Sequence, residues 1–113
     1  MSHVSGSFST IGSNGRAAFA HGNFVNAEYP STFCVGYGNN PQSDSVFEVG
    51  NGLNARGQPN NTGNTAPVTR QNAFRVTQSG DCIAQNSFSI EKGDGTRVTI
   101  TAEQLEALLA LLN

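Results

Sequence analysis

The sequence predicts a mainly β chain: a short roll of stacked strands, then a small antiparallel meander and a C-terminal helix. Three observations carry that expectation. A short apolar–glycine unit recurs through the first half of the chain. After Asn72, apolar and polar residues alternate in short runs. A leucine stripe behind a capping sequence closes the chain. The expected organisation is therefore residues 1–52 as roll repeats, 53–71 as a long loop or linker, and 72–113 as the meander with its amphipathic helix.

The repeat comes first because a missed repeat misassigns a whole fold. Its units end in Phe8-Ser-Thr-Ile11-Gly12, Ala18-Phe19-Ala20-His21-Gly22, Thr32-Phe33-Cys34-Val35-Gly36 and Val46-Phe47-Glu48-Val49-Gly50. The turn-prone stretches SNGR, GNFVNAEYPS and YGNNPQSDS separate them. Asn and Gly tolerate left-handed backbone and Pro fixes its own φ, so these stretches read as corners. A strand closed by Gly and followed by a polar corner describes one solenoid turn, which buries a side chain inward and stacks on the next. The expected inward set is Phe8 or Ile11, then Phe19, Phe33, Val35, Phe47 and Val49. Four units are few, and so short a stack needs caps or partner chains.

From Leu53 to Gln71 the period stops, and a structureless stretch of that length is usually functional or disordered. Asn60-Asn61-Thr62 forms a sequon there, which matters only in a glycosylating compartment. Antiparallel grammar follows. Phe74 and Val76 share a phase, Gln78 to Asp81 reads as a turn, Ile83 and then Phe88 and Ile90 return, and Gly93-Asp94-Gly95 signals a hairpin into Val98 and Ile100. Thr101-Ala-Glu-Gln104 matches a capping box. Leu105, Leu108, Leu109 and Leu112 then sit at i, i+3, i+4 and i+7. A helix of about eleven residues is marginal alone in water, so its stripe must bury against its own sheet or against a symmetry-related stripe.

Composition narrows the function. Six Lys and Arg face eight Asp and Glu, for a net charge of −2. The absence of a basic excess argues against a nucleic-acid surface. No apolar run approaches the ~20 residues of a membrane span, so no membrane insertion is expected. Asn, Gly, Ser and Thr supply 46 of the 113 residues, the composition of a turn-dense β protein. The start, MSHVSGSFST, lacks the basic and apolar regions of a signal peptide. The expectation is a chain not exported by that route, or a fragment of something longer. Cys34 and Cys82 make no disulfide scaffold and are expected to be free, buried and reduced.

The units SGSFSTIG, AAFAHG, STFCVGYGN and DSVFEVGNG, with Asn26-Ala27 between two of them, resemble the head repeats of trimeric autotransporter adhesins. VFEVGNG, followed after the loop by Arg70-Gln71-Asn72-Ala73-Phe74-Arg75-Val76 and Gly80-Asp81, resembles a segment of bacteriophage tail-fibre and receptor-binding proteins. The resemblance spans residues 2–52 for the first family and 46–90 for the second. It implies a left-handed parallel β-roll assembled as a homotrimer, and a structural, host-attachment role at the tip of a virion tail fibre. The implied partners are further copies of the chain, the rest of the fibre, and a bacterial cell-surface glycan or protein receptor. The alternative is the head of a bacterial surface adhesin. The first glycine step, ten residues, departs from the adhesin pattern, as does the lack of a coiled-coil stalk or self-cleaving chaperone domain.

The chemistry-bearing residues are sparse, and no enzyme is expected. Asp81 and Asp94 lie in turn sequences, and Glu103 and Glu106 suit an early helical turn. A glycan-processing pair of carboxylates assembled between chains is the remaining enzymatic reading. No cofactor and no metal site are expected; an axial His21 repeated in a trimer is the one metal arrangement open to these residues. No catalytic residue is assigned. The expected attachment residues are Phe24, Asn26 and Tyr29 at one corner, Tyr37, Asn39 and Asn40 at the next, and Arg56, Asn60 and Asn61 in the loop. Amides, a guanidinium and aromatic rings suit polar glycans, and equally an ordinary solvated turn. The loop 53–71 either reaches a receptor or clasps a neighbouring chain. Leu105, Leu108, Leu109 and Leu112 are the expected trimerisation residues.

Overall fold

The computed structural model describes residues 1–59 and 65–113. The chain forms two compact units, Met1–Ile83 and Ala84–Asn113. Asn60 and Asn61, two of the expected attachment residues, lie outside the described residues.

The first unit is a β-solenoid of about three turns. Its strands are β1 His3–Ser7, β2 Thr10–Ile11, β3 Phe19–Asn23, β4 Asn26–Ala27, β5 Phe33–Tyr37 and β6 Ser45–Asn51, followed by β7 Asn72–Thr77 and β8 Cys82–Ala84. One sheet runs in the order β1-β3-β5-β6-β7-β8, and β2 pairs with β4 in a second, two-stranded sheet. The pairings from β1 to β6 are parallel, and β7 joins β6 antiparallel.

Register turns the repeat into columns: His3, Phe19, Phe33 and Phe47 in one, Val4, Ala20, Cys34 and Glu48 in the next. Ser5, His21, Val35 and Val49 follow, then Gly6, Gly22, Gly36 and Gly50. The repeat therefore steps by 16, 14 and 14 residues, and the first glycine of the column is Gly6 rather than Gly12. The glycine column has a steric cause. Gly22 has φ +147, and a Cβ there would overlap the carbonyl oxygen of Gly36.

The expected inward set is out of phase by one residue. Phe33 is 41% exposed and Phe8 62% exposed, whereas Ala20, Cys34 and Glu48 are fully buried. Because alternate residues take opposite faces, placing Cys34 inside puts Phe33 and Val35 outside. The interior is thin. Ala18, Ala20, Val25, Ala27 and Cys34 fill it with Ile11 packed against them, so Ile11 is the member of the expected set that does contribute. The large rings stack outside instead: His3 on Phe19 at 4.8 Å, Phe19 on Phe33 at 4.4 Å and Phe33 on Phe47 at 5.6 Å.

The expected single meander is divided. β7 and β8 extend the roll's own sheet, while β9 Ser87–Glu91 and β10 Arg97–Thr101 form a separate antiparallel hairpin. The reason is edge satisfaction: β7 covers the exposed edge of β6, and Arg75 fastens it by donating to Asp44 Oδ1 (2.7 Å) and Ser45 Oγ (3.1 Å).

In the second unit the hairpin leads into α1, Ala102–Ala110. The capping box forms as expected. Gln104 N–H donates to Thr101 Oγ1 at 3.2 Å, and Thr101 N–H to Gln104 Oε1 at 3.0 Å. In the hairpin turn, Asp94 Oδ1 accepts from Thr96 N–H (3.0 Å) and Thr96 Oγ1 (2.6 Å). These bonds hold the Asp94 carboxyl below its ordinary range.

Candidate interaction surfaces

Two apolar surfaces dominate. The first is the outer face of the solenoid sheet. Phe19, Phe33 and Phe47 run along one column and Val35 and Val49 along another, on the same side of the strands. Antiparallel register places Val76 beside Phe47 and Phe74 beside Val49, so β7 continues the surface, with the Phe74 ring edge-on to Phe47 at 6.4 Å. Among the described residues of the first unit, no second layer covers this face: Phe33 stays 41% exposed. Parallel sheets ordinarily have both faces covered.

The second surface is the whole apolar complement of the Ala84–Asn113 unit. Phe88, Ile90, Val98, Leu105, Leu108, Leu109, Leu111 and Leu112 are all exposed, and no residue of the unit is buried. Of the expected helix stripe, Leu105, Leu108 and Leu109 lie on α1, whereas Leu111, its C-cap, and Leu112 fall beyond the helix, which is shorter than expected. A shallow crease of about 200 Å³ runs between hairpin and helix, lined by Ala84, Ser87, Phe88, Ile100 and Leu105.

The expected attachment corners are sorted by burial. Asn39 is fully buried and holds two turns together: its Oδ1 accepts from Asn26 N–H (2.8 Å), and its Nδ2 donates to Asn26 O (2.9 Å) and Glu48 Oε1 (2.7 Å). Tyr37 is buried, and its hydroxyl donates to Thr65 O at 2.7 Å. Asn40 trades backbone bonds with the Asn72 side chain, at 3.0 and 2.7 Å. Asn26 Oδ1 accepts from Thr10 Oγ1 at 3.1 Å, and Tyr29 is half-buried. Phe24 stacks on Phe8 at 4.8 Å; both take left-handed backbone, with φ 56. Arg56 is exposed in a turn where Asn54 Oδ1 accepts from Arg56 N–H (2.9 Å) and Gln58 N–H (3.1 Å). The expected corners thus hold both internal fasteners and exposed groups.

The return of the long loop is bonded to its own solenoid. Leu53 bridges Thr69 antiparallel, and Arg70 Nη1 donates to Phe24 O (2.9 Å) and Asn39 O (3.3 Å). Arg70 is a fastening residue that sequence reasoning placed only within a motif.

The titratable groups offer little open chemistry. Glu48 lies inside the solenoid, accepting from Asn39 Nδ2 at Oε1 and from Gln42 N–H at Oε2 (2.9 Å). Cys34 donates a weak bond to Glu48 Oε1 at 3.6 Å. Burial first, then the Glu48 charge and that hydrogen bond, push the Cys34 thiol far above its ordinary range, so it stays protonated and unreactive. Both cysteines are free; Cys82, expected inside, is exposed. His21 lies on the outer face with its Nδ1 hydrogen-bonded to Ser5 Oγ. Among the described residues, no three His, Cys, Asp or Glu cluster to hold a metal, and no helix is long and apolar enough to cross a membrane.

No protein-family description, curated protein or solved structure matches this chain.

Proposed function

We propose that the chain is a structural and host-attachment module that works as a homotrimer, the receptor-binding tip of a phage-type tail fibre, and not an enzyme. The observation that carries the reading is the uncovered apolar surface of the Ala84–Asn113 unit, where no side chain is buried. An isolated two-stranded hairpin and a nine-residue helix are each marginal in water. Symmetric copies supply the missing layer, stripe against stripe, without a new sequence. The phenylalanine face of the solenoid supports the same reading, because three such sheets facing a common axis cover one another. The left hand of the roll belongs to this proposal, as implied by the adhesin-like repeats.

Attachment falls to the groups left exposed at the rim. Half-buried Phe24, Asn26 and Tyr29, with exposed Asn40 and Arg56, combine ring faces with amide and guanidinium donors that suit a bacterial surface glycan. The place of action is the virion tail. Sedimentation at micromolar concentration tests assembly: a threefold mass is expected, and a monomer mass overturns the trimer. Antibody labelling of purified tail particles tests the location; labelling of bacterial surfaces alone would make the chain an adhesin head instead.

A further inference from the structure

We propose that His3, Ser5 and His21 form a binding site for one divalent transition-metal ion per chain, of the borderline class typified by Zn2+. The sequence predicts no such site, because its two histidines stand far apart and no local pattern pairs them. Register brings them together. β1 runs parallel to β3, with His3 beside Phe19 and Ser5 beside His21. Residues two apart on a strand share a face, so these four lie together on the outer face of the sheet. His21 is the direct neighbour of Ser5, and His3 is the diagonal neighbour of His21.

The Ser5 hydroxyl is the meeting point. His3 Nε2 lies 3.3 Å from Ser5 Oγ, and His21 Nδ1 is hydrogen-bonded to the same oxygen. One nitrogen of each ring is thus aimed at one place, beside the lone pairs of an oxygen. A hydroxyl has one proton to give, and a neutral imidazole has one lone-pair nitrogen. In the tautomers protonated at His3 Nδ1 and His21 Nε2, both nitrogens facing Ser5 carry lone pairs, and the single hydroxyl proton serves only one of them. A metal cation accepts from all three atoms at once.

The rings are braced for this. His3 stacks on Phe19 with centroids 4.8 Å apart, and His21 neighbours the same ring at 6.4 Å. Phe19 is itself stacked on Phe33 at 4.4 Å. A side chain already held by its neighbours loses less freedom on binding. His3 and His21 are exposed and Ser5 is half-buried, so small χ rotations close the three atoms round an ion while the strands stay in place.

The donor set names the ion. Imidazole nitrogen suits Zn2+ and its neighbours, whereas Mg2+ and Ca2+ take oxygen ligands, carboxylates above all. Neither strand supplies an acid: β1 reads His-Val-Ser-Gly-Ser and β3 Phe-Ala-His-Gly-Asn. Among the described residues no third His, Cys, Asp or Glu joins the pair, so water completes the coordination and the ion is exchangeable. A bound ion clips β1 to β3 and stabilises the solenoid by mass action. The site lies within one chain and stands whether or not the chain forms a trimer.

The test titrates the untagged full chain with zinc chloride, followed by calorimetry. Cys82→Ser is introduced throughout, because Cys82 is an exposed free thiol. His3→Gln, His21→Gln and Ser5→Ala are compared in that background. The expected result is one ion per chain, with binding at least about tenfold weaker once either histidine is replaced, since the second ligand of a chelate binds intramolecularly. Ser5→Ala should lose less, and magnesium chloride should give no binding. Zn2+ should also shift the Ser5 and His21 amide resonances of the chain with all three site residues intact, a readout that needs no site variant to fold. Undiminished affinity in either histidine variant would overturn the proposal, because a single imidazole would then account for the binding. So would one ion per three chains that needs His21 but not His3, which would assign the metal to a symmetry axis. Unmoved Ser5 and His21 resonances would overturn it as well. Sedimentation of the metal-free chain reports the trimer separately, so failure of one reading is distinguishable from failure of the other.

Discussion

The solenoid interior and the Ala84–Asn113 unit solve the problem of apolar burial in opposite ways. The interior is small and partly polar, yet each of its main polar groups has a partner: Glu48, Asn39 and Thr32 are bonded within it. The terminal unit holds five of the six leucines of the chain and buries none of them. Apolar content therefore does not locate stability in this molecule. Columns of small residues and shared hydrogen bonds hold the first unit together, while the large side chains of the second stay exposed.

The largest expected effect tests the interior. Ala20→Asp places a carboxylate at a fully buried position, next to Cys34 in its column and with no cationic partner. An unpaired buried charge costs several kcal/mol, so urea denaturation should find the first unit largely unfolded in water. Glu48→Ala should follow, at about 2–4 kcal/mol, because it leaves the Asn39 amide and Gln42 N–H without their acceptor inside the solenoid. A loss below about 0.5 kcal/mol would show that the carboxylate network contributes little.

Substitutions on the uncovered surfaces should separate association from folding. Leu105→Ser with Leu109→Ser removes two members of the helix stripe, and Phe33→Asp charges the outer sheet face. If the proposed trimer forms, each variant should sediment as a monomer at concentrations where the parent associates, while exchange protection of β3 and β5 persists. If Phe33→Asp instead unfolds the solenoid, the outward placement of the phenylalanine column is wrong.

That last substitution also shows what was legible in the sequence. The Phe-x-x-Gly period gives parallel strands in register, and the capping box gives the helix start. The phase is hidden because Phe33-Cys34-Val35 is apolar at every position, so alternation carries no sign. In Phe47-Glu48-Val49 the charged residue reads as the outward one, yet Asn39 and the Gln42 backbone satisfy it inside. The first turn is disguised for a similar reason. Phe8-Ser-Thr-Ile11-Gly12 resembles a unit, whereas the true strand, His3-Val4-Ser5-Gly6, has lost its phenylalanine. Of the expected attachment residues, Asn39 and Tyr37 are internal because corners of a narrow solenoid must fasten adjacent turns, a pairing that no local pattern displays.

The smallest expected effect lies in the hairpin turn of the terminal unit, and it tests whether that unit keeps local order of its own. Asp94 Oδ1 accepts from the Thr96 N–H and hydroxyl, which holds its carboxyl below the ordinary value of about 3.9. A folded-state value below the unfolded one means that the contribution is present above the unfolded value and is lost as pH falls through the folded value. The group is fully exposed, so the stability at stake is slight. The measurement is therefore spectroscopic: the Thr96 amide resonance should titrate with a midpoint below about 3.9, and Asp94→Asn should abolish that titration while leaving the capping box of α1 intact. A midpoint at or above the ordinary value would mean that the turn does not hold this geometry in solution.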